Sequence, residues 1–426
     1  MARSNQQTEA RVGRAGPWRV AAELSHLPGF FYLDSSSAEE RLGAAMGARF
    51  STIAACPRKV LRGNLFQNDD FSRLRAHHAS RLRPEGSSPE PCAPGAGLYG
   101  YVGYDGDFVF GEYDDVLVFD HVLGSWKEWG DLLPLRRALP APAALPDRAI
   151  RFRDNLDKTS FCDLVARAQD YIAAGDIYQV NLSHRFSAPL PSSLDPFSLY
   201  TRLREQSPAP FASYTTLGEK VVMSSSPEQF LSLSGRLIQT RPIKGTRPRF
   251  RDRERDEKSA YDLITSPKEI AELIMITDLE RNDLGQVCEF GSVAATELLK
   301  LERYAQVFHL VSTVEGTLRE GVGHLDALLA CFPGGSITGA PKKRAREIIA
   351  ELEPSPRGLY TGAIGCLGFN GESRFSIAIR TLVAEAGELH FHVGAGIVAD
   401  SVPVHEWEET LHKAAGIFQA CGAQGS

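Results

Sequence analysis

The sequence predicts an α+β fold with a largely antiparallel sheet. Predicted strands and helices are mixed along residues 150–426, without the regular strand–helix–strand repeat that builds a parallel sheet. The runs F-S-I-A-I-R-T-L-V-A and E-L-H-F-H-V are separated only by E-A-G, a pattern typical of an antiparallel pair joined by a tight turn. Apolar residues make up 43% of the chain and charged residues 23%, which is ordinary for a globular protein.

Single elements follow from apolar periodicity and from the residues that begin and end them. Residues 161–174 predict a helix. A second helix is predicted from Pro267 to about residue 282, because Ser266 is a good N-cap and Glu269 completes a Ser-x-x-Glu capping box. Further strands are predicted at residues 180–186, 217–223 and 230–240.

Polar and proline-rich segments divide the chain. Residues 1–15 are predicted to be a disordered tail. The stretch A-L-P-A-P-A-A-L-P-D, residues 138–147, is an extended linker candidate stiffened by proline. We therefore expect an N-terminal region at residues 16–147 and a second, larger domain at residues 148–426.

The composition excludes several classes of protein. The formal net charge of −6 argues against a general binder of nucleic acids or membrane surfaces. No apolar run reaches the roughly 18–20 residues that a membrane-spanning helix needs, and the polar start M-A-R-S-N-Q-Q-T-E lacks the apolar core of a secretion signal. The seven cysteines are scattered and form no C-x-x-C pair, so we expect free thiols, a cytoplasmic location and no cysteine-ligated metal.

Two glutamates on separate predicted helices are candidate metal ligands. Glu272 shares its helix face with apolar residues such as Ile276, so its carboxylate needs a partner. That partner is either a basic side chain at the rim of the core or a metal ion. Glu409 can form a surface salt bridge with Lys413, four residues further along its helix. If the two helices converge, the two carboxylates suit Mg²⁺, a hard ion that binds oxygen and keeps several waters.

A glycine-rich loop and an arginine are candidate binding groups for an anionic substrate. The loop G-G-S-I-T-G-A-P-K-K-R-A, residues 334–345, runs into a helix whose free N–H groups favour an anion. It lacks the Lys-Ser/Thr pair of a nucleotide-binding loop, so we expect a carboxylate there. Arg380 is predicted on one strand face with Ser376 and Ala378, whose small side chains leave room for a ligand carboxylate. A structural turn and a solvent-exposed arginine are the alternatives.

Two further stretches bear on the same candidate site. In R-P-I-K-G-T-R-P-R, Lys244 precedes Gly245 at a break that is typical of a strand ending at a pocket, and it is either a solvated charge or a reactive group. In H-V-G-A-G-I-V, Gly394 and Gly396 stand where the backbone can approach a ligand closely. Together these features suggest a small polyanionic substrate held by Mg²⁺, an arginine and backbone amides.

Seven motifs, in chain order, resemble those of the chorismate-utilising enzymes: P-I-K-G-T-R-P-R, D-L-E-R-N-D-L-G, H-L-V-S-T-V-E-G, F-P-G-G-S-I-T-G-A-P-K, Y-T-G-A-I-G, I-A-I-R-T-L and G-A-G-I-V-A-D-S. That family includes anthranilate, isochorismate, salicylate and aminodeoxychorismate synthases. The resemblance covers about residues 161–418 strongly and the N-terminal third more loosely. It implies two orthogonally packed, largely antiparallel sheets flanked by helices, with the active site between them.

The resemblance also implies a role for each matching residue. Glu272 and Glu409 are expected to bind Mg²⁺. Glu228 of the S-P-E motif is expected to be the general acid for the departing C4 hydroxyl of the substrate. Contacts with the substrate are expected from Thr246, His309, Thr338, Tyr360, Arg380, Gly394, Gly396 and Lys413.

Two positions distinguish between members of this family. Relatives that add water at C2 resemble one another in a lysine where this chain has Gln179, and a neutral amide cannot activate water. Anthranilate synthases have P-I-A-G-T at the second position, whereas aminodeoxychorismate synthases have P-I-K-G-T, as this chain does around Lys244. The resemblance implies that the Lys244 amine attacks C2 and that ammonia then displaces it from C4, which splits one difficult step into two.

The expected function is therefore that of an aminodeoxychorismate synthase component I, which makes 4-amino-4-deoxychorismate for p-aminobenzoate and folate synthesis. No glutaminase signature is visible, so ammonia is expected from a separate glutamine amidotransferase subunit. The alternatives are an anthranilate synthase component I and a non-catalytic regulator that binds chorismate or tryptophan. The stretch L-P-G-F-F-Y-L-D-S-S-S resembles the region in which relatives bind tryptophan, so tryptophan is a candidate partner for the N-terminal region.

Overall fold

The computed structural model describes residues 8, 11–13, 15–35, 46–83, 93–138, 149–304 and 306–423. The predicted tail at residues 1–15 and the predicted linker at residues 138–147 lie mostly outside this part of the chain. The proposed domain boundary stays a prediction for that reason.

Twenty-one strands lie in the described residues. They are β1 Phe31–Asp34, β2 Phe50–Ala54, β3 Lys59–Asn64, β4 Gly97–Val102, β5 Asp107–Tyr113, β6 Val116–Asp120, β7 Ser125–Trp129, β8 Arg153–Asp154, β9 Gln179–Pro189, β10 Phe211–Thr215, β11 Val221–Ser226, β12 Gln229–Ser234, β13 Leu237–Arg241, β14 Ile243–Pro248, β15 Ala294–Arg303, β16 Val307–Thr317, β17 Gly339–Ala340, β18 Ala363–Gly368, β19 Glu372–Ile377, β20 Thr381–Glu385 and β21 Glu388–Ile397.

The helices flank these strands. In chain order they are α1 Pro17–Leu24, α2 Asn68–Arg81, α3 Lys158–Ala173, α4 Pro196–Gln206, α5 Arg253–Ile264, α6 Pro267–Gly285, α7 His324–Cys331, α8 Lys342–Leu352 and α9 Pro403–Ala420. Ser266 caps α6 as predicted, with its hydroxyl accepting from the backbone N–H of Glu269.

The strands form two sheets. The first sheet has the order β17-β9-β21-β20-β11-β10-β1-β2-β6-β7, with β8 beside β9, and the second has the order β14-β16-β13-β12-β19-β18-β4-β5-β3, with β15 beside β16. Neighbouring strands pair antiparallel, as β9 does with β21 and β18 with β4. The predicted α+β class with two antiparallel sheets is therefore confirmed.

Both sheets contain strands from the N-terminal third of the chain. In the first sheet β1 pairs with β10, and in the second sheet β4 pairs with β18. A buried cluster joins Phe31 and Val383 of the first sheet to Tyr99 and Ile364 of the second. Burying a large apolar side chain of this kind contributes about 1.5–3 kcal/mol. The two sheets thus share a core to which both ends of the chain contribute.

Two predicted strands differ from those observed, and glycines explain both differences. The strand predicted at residues 217–223 starts only at Val221, because a turn at Gly218 (φ +83°) precedes it. The strand predicted at residues 230–240 is a hairpin of β12 and β13, turned at Gly235 (φ +56°). Positive φ angles are accessible to glycine at little cost, so each glycine marks a reversal of the chain.

The run predicted as one strand at residues 375–384 crosses from one sheet to the other. β19 ends at Ile377 in the second sheet and β20 begins at Thr381 in the first. Between them Arg380 has a φ of +48°, in the left-handed region. The predicted placement of Arg380 on a strand face with Ser376 and Ala378 is therefore wrong. The predicted antiparallel pairing is observed between β20 and β21, whereas β19, the first half of the predicted strand, lies in the other sheet.

Within the described residues, no helix is both long enough and apolar enough to cross a lipid bilayer. Six of the cysteines lie in this part of the chain, and their thiols are free.

Candidate active site

The candidate site lies where the chain crosses between the sheets. Glu228 follows β11 of the first sheet and precedes β12 of the second, while Arg380 lies on the reverse crossing from β19 to β20. The two crossings are hydrogen-bonded: Ser225 N–H donates to Arg380 O and Ile377 N–H donates to Glu228 O, both at 3.1 Å. The fold therefore brings together two predicted site residues that are 152 positions apart.

The side chains of Lys244 and Gln179 both lie next to Gly396. A Cβ atom on Gly396 would lie 3.0 Å from Gln179 Nε2 and 3.2 Å from Lys244 Nζ. Gln179 is fully buried, and neither polar atom of its amide has a hydrogen-bond partner in the described residues. A buried amide without partners is costly, so this position fits a site that a polar ligand completes.

A bulge in β14 orients the P-I-K-G-T stretch. The register of β14 against β16 shifts between Lys244 and Thr246, and Gly245 between them has a φ of +71°. Lys244 Nζ lies 3.6 Å from Glu272 Oε2, and Thr246 Oγ1 lies 3.0 Å from His309 Nδ1. Bulges of this kind redirect side chains, which accounts for lysine and threonine facing different partners.

Helices α6 and α9 carry the two predicted metal ligands. Glu272 on α6 and Glu409 on α9 both interact electrostatically with Lys244 and Lys268. Lys413 Nζ lies 2.7 Å from Glu409 Oε1. Partial burial raises the pKa of Glu409, but Lys413, Lys244 and Lys268 lower it more, so the net shift is downward. The two carboxylates converge on one group of lysines.

The donor set fits Mg²⁺. Glu272 Oε1 is buried and has no hydrogen-bond partner among the described residues, so it can accept a cation. Carboxylate oxygens are the hard ligands that Mg²⁺ takes, and Mg²⁺ usually keeps waters on its remaining positions. No cluster of three or more Asp, Glu, His or Cys side chains able to hold a metal occurs in the part of the chain that the structure describes. Glu272 and Glu409 would therefore bind the ion together with water or substrate oxygens.

Glu228 is buried and interacts electrostatically with Lys244. Its side chain is 5% exposed, and Ser336 Oγ donates to its Oε1 at 2.7 Å. Burial raises the pKa of Glu228, and the opposing effects of Ser336, Lys244 and Lys413 are smaller. A carboxyl that keeps its proton at higher pH is suited to general acid catalysis.

The glycine-rich loop lies beside Glu228. It contains a short 3₁₀ turn, Gly335–Ile337, followed by β17, and α8 begins at Lys342 after Pro341. Thr338 is fully buried, and its hydroxyl donates to Gly334 O at 2.9 Å, within the loop itself. The predicted contact between Thr338 and substrate stays a prediction.

The other predicted binding residues surround Gly394. A Cβ on Gly394 would lie 2.8 Å from Tyr360 Oη, and Lys413 Nζ donates to Gly394 O at 2.8 Å. The ring of Tyr360 stacks on His392. Arg380 is partly buried, and its guanidinium has no hydrogen bond or ion pair to the described residues. Burial lowers the pKa of Arg380, while Glu228 acts in the opposite direction.

Arg357 supports the site and was not predicted from the sequence. Its guanidinium donates to Ile337 O at 3.0 Å, Asn181 O at 2.7 Å and Glu353 Oε1 at 2.7 Å, and it lies beneath the ring of Tyr360. The signal present in the sequence is the spacing of four between Glu353 and Arg357. That spacing usually indicates a surface bridge, so it did not indicate a buried position.

A cavity lies between the two sheets. It is lined by Leu33, Asp34, Ser35, Phe211 and Arg374 among others. The first three belong to the N-terminal stretch for which a tryptophan site is expected, of which Ser36 and Ser37 lie outside the described residues. Asp34 accepts from Tyr32, Tyr200 and Arg204, which fixes its carboxylate at the cavity wall.

Comparison with known proteins identifies the class. Residues 29–419 match the model of the chorismate-binding enzyme family. Since this match spans most of the chain, the protein belongs to that family and is an enzyme that acts on chorismate.

Three relatives narrow the group. The chain is 38% identical over 430 residues to aminodeoxychorismate synthase component 1 of Bacillus subtilis, covering 89% of this chain and 90% of the relative. It is 45% identical over 329 residues to anthranilate synthase component 1 of Thermus thermophilus, covering 74% of this chain and 71% of the relative. The crystal structure of anthranilate synthase component I from Streptococcus pneumoniae matches with a TM-score of 0.75 and 31% identity, covering 89% of this chain and 93% of that one. The protein thus falls in the group of anthranilate and aminodeoxychorismate synthase components I.

Proposed function

We propose that the protein converts chorismate and ammonia to 4-amino-4-deoxychorismate, as an aminodeoxychorismate synthase component I. The observation that carries the proposal is the position of Lys244, whose Nζ lies next to Gln179 and beside Gly396. The amine therefore faces the region where the buried polar groups lack partners. The B. subtilis relative named for this activity aligns over nearly the whole chain.

In this proposal Lys244 is the nucleophile. Its neutral amine attacks C2 of chorismate, both ring double bonds shift, and the C4 hydroxyl leaves. Ammonia then attacks C4, both double bonds shift back and the Lys244 nitrogen is expelled from C2. The sum is chorismate plus ammonia giving 4-amino-4-deoxychorismate plus water, and the covalent intermediate divides one displacement into two.

Glu228 would give its proton to the departing C4 oxygen. Ser336 donates to Oε1 of Glu228, and the backbone N–H of Ile243 also interacts with this carboxyl. We assign the proton to Oε2, the oxygen that does not accept from Ser336. The upward shift of the Glu228 pKa by burial supports this role, because a general acid must enter the reaction protonated.

Glu272 and Glu409 would hold Mg²⁺. The ion, when bound, supplies positive charge that neutralises the substrate carboxylate. Binding and orientation of the substrate are assigned to side chains and backbone around the two crossings: Thr246, His309, Thr338, Tyr360, Arg380, Gly394, Gly396 and Lys413. Arg380 is the best supported of these for a carboxylate, since its guanidinium can bind one through two parallel hydrogen bonds and has no such partner in the described residues.

Two partners are part of the proposal. Ammonia would come from a separate glutamine amidotransferase subunit, or from free ammonium at high concentration. The product would enter p-aminobenzoate and folate synthesis through a separate lyase.

The cavity lined by Leu33, Asp34 and Ser35 is proposed to bind tryptophan, and calorimetric titration with tryptophan tests that separately.

The assay that tests the function supplies chorismate, Mg²⁺ and ammonium and identifies the product by mass. The expected product is 4-amino-4-deoxychorismate, which yields p-aminobenzoate only after a lyase is added. Anthranilate, which is fluorescent without any lyase, would overturn the proposal.

Anthranilate synthesis is the second candidate, because several anthranilate synthase components 1 are 45–46% identical to this chain over 63–74% of its length. Lys244 distinguishes the two. We expect Lys244→Ala to lose amination at C4 by about 10²-fold or more. Lys244→Arg is the matched control, because it keeps a cation beside Glu272 but no nucleophilic amine, and it should lose the activity too. Full amination at C4 by either variant would exclude the covalent role.

A further inference from the structure

A second pair of carboxyl groups lies behind the glycine-rich loop. Glu280, on α6, is 2% exposed, and its Oε1 accepts from the backbone N–H of Gly335 at 3.1 Å. Its Oε2 is buried with no hydrogen-bond partner in the described residues. An ionised carboxylate left in this state would be costly, whereas a protonated carboxyl loses much less on burial.

The loop connects Glu280 to the proposed general acid through two consecutive residues. Gly335 N–H binds Glu280, and Ser336 Oγ binds Oε1 of Glu228 at 2.7 Å. Gly335 is packed closely, since a Cβ there would lie 2.6 Å from Leu279 Cδ2 and 3.1 Å from Glu280 Oε1. The position of Ser336 therefore depends directly on where Glu280 holds Gly335.

The charges around Glu280 favour its neutral form. Burial and the Asp283 carboxylate raise the pKa of Glu280 to about 8, with Glu228 acting in the same direction. Lys342 lowers it, but Lys342 Nζ is bound to Asp283 Oδ2 at 2.5 Å. The buried Cys331 thiol is the remaining titratable group of this cluster, and burial raises its pKa. Burial also raises the pKa of Asp283, but its ion pair with Lys342 opposes that shift, so the neighbouring cation favours ionisation of Asp283 over that of Glu280.

We propose that Glu280 is a positioning residue for Glu228: its buried carboxyl holds the Gly335 N–H, which keeps the Ser336 hydroxyl on Oε1 of Glu228. This inference rests on the proposed function, in which Glu228 is the general acid. Glu280 itself does not touch the reacting atoms.

Two variants test this role. Glu280→Gln has the shape of a neutral carboxyl and keeps an oxygen for Gly335, whereas Glu280→Leu has similar bulk and no acceptor. Both are compared with the wild type for chorismate consumption at saturating ammonium and Mg²⁺, which does not depend on the identity of the product. We expect kcat of Glu280→Gln to stay within about threefold of the wild type. Glu280→Leu should lose about tenfold or more in kcat, the effect of one buried hydrogen bond on the acid.

The KM for chorismate distinguishes a loss of positioning at Glu228 from damage to the substrate-binding residues. We expect the KM for chorismate of Glu280→Leu to stay within about threefold, because the substrate contacts are on other residues. Equal losses in the Gln and Leu variants would overturn the proposal, and so would wild-type kcat in the Leu variant. If the Leu variant does not fold, a tenfold loss in a folded Glu280→Gln variant would overturn it as well, and near-wild-type kcat there would support it.

Glu228→Gln, measured in the same assay, distinguishes failure of the proposed function from failure of the positioning role. Wild-type turnover by Glu228→Gln would reject the acid role in the proposed function. A large loss in Glu228→Gln together with no loss in Glu280→Leu would reject the positioning role alone.

Discussion

Four glutamates lie in two contrasting environments, which we call the acid end (Glu228 and Glu280) and the cation end (Glu272 and Glu409). At the acid end, Glu228 and Glu280 are buried and their pKa values are raised. At the cation end, Glu272 and Glu409 face lysines, and the pKa of Glu409 is lowered although half of its side chain is exposed. Desolvation acts on both Glu280 and Glu409, so the difference comes from the neighbouring charges: Asp283 and Glu228 raise the pKa of Glu280, whereas three lysines lower that of Glu409.

One residue type can therefore serve two roles in the same site. At the acid end burial is the largest effect on both carboxyls, and it outweighs Lys244 and Lys413 at Glu228 and Lys342 at Glu280. At the cation end Lys244, Lys268 and Lys413 stabilise the charged form, which is the form that binds a metal ion. The balance between burial and the neighbouring lysines therefore separates proton donation from cation binding.

The largest expected effect comes from removing the acid. Glu228→Gln should lower kcat for chorismate consumption by about 10²–10⁴-fold, because an amide cannot donate the required proton. Calorimetric chorismate binding and the thermal midpoint should change little and serve as controls for folding. Turnover within tenfold of the wild type would show that the acid end does not provide the acid.

The next effect tests the cation end. Glu272→Gln and Glu409→Gln should each raise the Mg²⁺ concentration for half-maximal activity by about tenfold or more, since each removes one of two charged ligands. Glu408→Gln is the matched control, because Glu408 is the exposed neighbour on the same helix. Calorimetric titration of Mg²⁺ into the protein gives a readout independent of turnover. Unchanged Mg²⁺ affinity in both ligand variants would place the ion elsewhere.

The third prediction concerns the pH dependence of stability at the acid end. The pKa of Glu280 is about 8 in the folded protein and about 4.3 for an unfolded glutamate, so unfolding releases a proton between these values. Wild-type stability should therefore fall with rising pH in this window, by up to about 1.4 kcal/mol per pH unit from this group. Glu280→Gln has no such group and should gain stability relative to the wild type from pH 5 to pH 8.

Urea unfolding at pH 5, 6.5 and 8 measures this difference. Glu280→Leu is the control, because it also lacks the titrating group and should show the same pH slope at lower stability throughout. Asp283, Lys342, Glu228 and Cys331 are unchanged in all three proteins. A difference between Glu280→Gln and the wild type that does not vary with pH would mean that Glu280 is ionised in the folded protein.

The smallest effect concerns a lysine at the mouth of the cation end. Lys268 Nζ lies 3.4 Å from Glu406 Oε1 and 3.9 Å from Glu272 Oε1, and half of its side chain is exposed. Lys268→Met should tighten Mg²⁺ binding by about two- to fivefold, because a half-exposed cation competes weakly with the metal ion. Lys268→Arg keeps the charge and should leave the affinity unchanged. Weaker Mg²⁺ binding in the Met variant would contradict the competition.

Residues within recognisable motifs could be predicted from the sequence, together with the α+β class. Glu228, Lys244 and Glu272 all lie at the candidate site, and their chemical roles stay predictions. Ser266 was identified from local capping rules, which act within one helical turn.

Residues whose position depends on distant packing were not predicted. Glu280 lies on a helix whose sequence gives no sign that the loop at Gly335 covers it. From the sequence, Arg357 resembles one partner of a surface salt bridge with Glu353. The backbone carbonyl groups that it binds belong to Ile337 and Asn181, which are distant in the sequence. Arg380 was misplaced because alternating apolar residues predict a continuous strand and contain no information on which sheet each half joins.

The pairing of β1 with β10 and of β4 with β18 has a consequence for dissecting the protein. A fragment starting at residue 148 would leave β10 and β18 as unprotected strand edges, with rows of unsatisfied backbone groups. Such edges promote association between molecules, so we expect the isolated C-terminal portion to aggregate. The first third of the chain therefore completes both sheets, and we expect its removal to destabilise the rest of the enzyme.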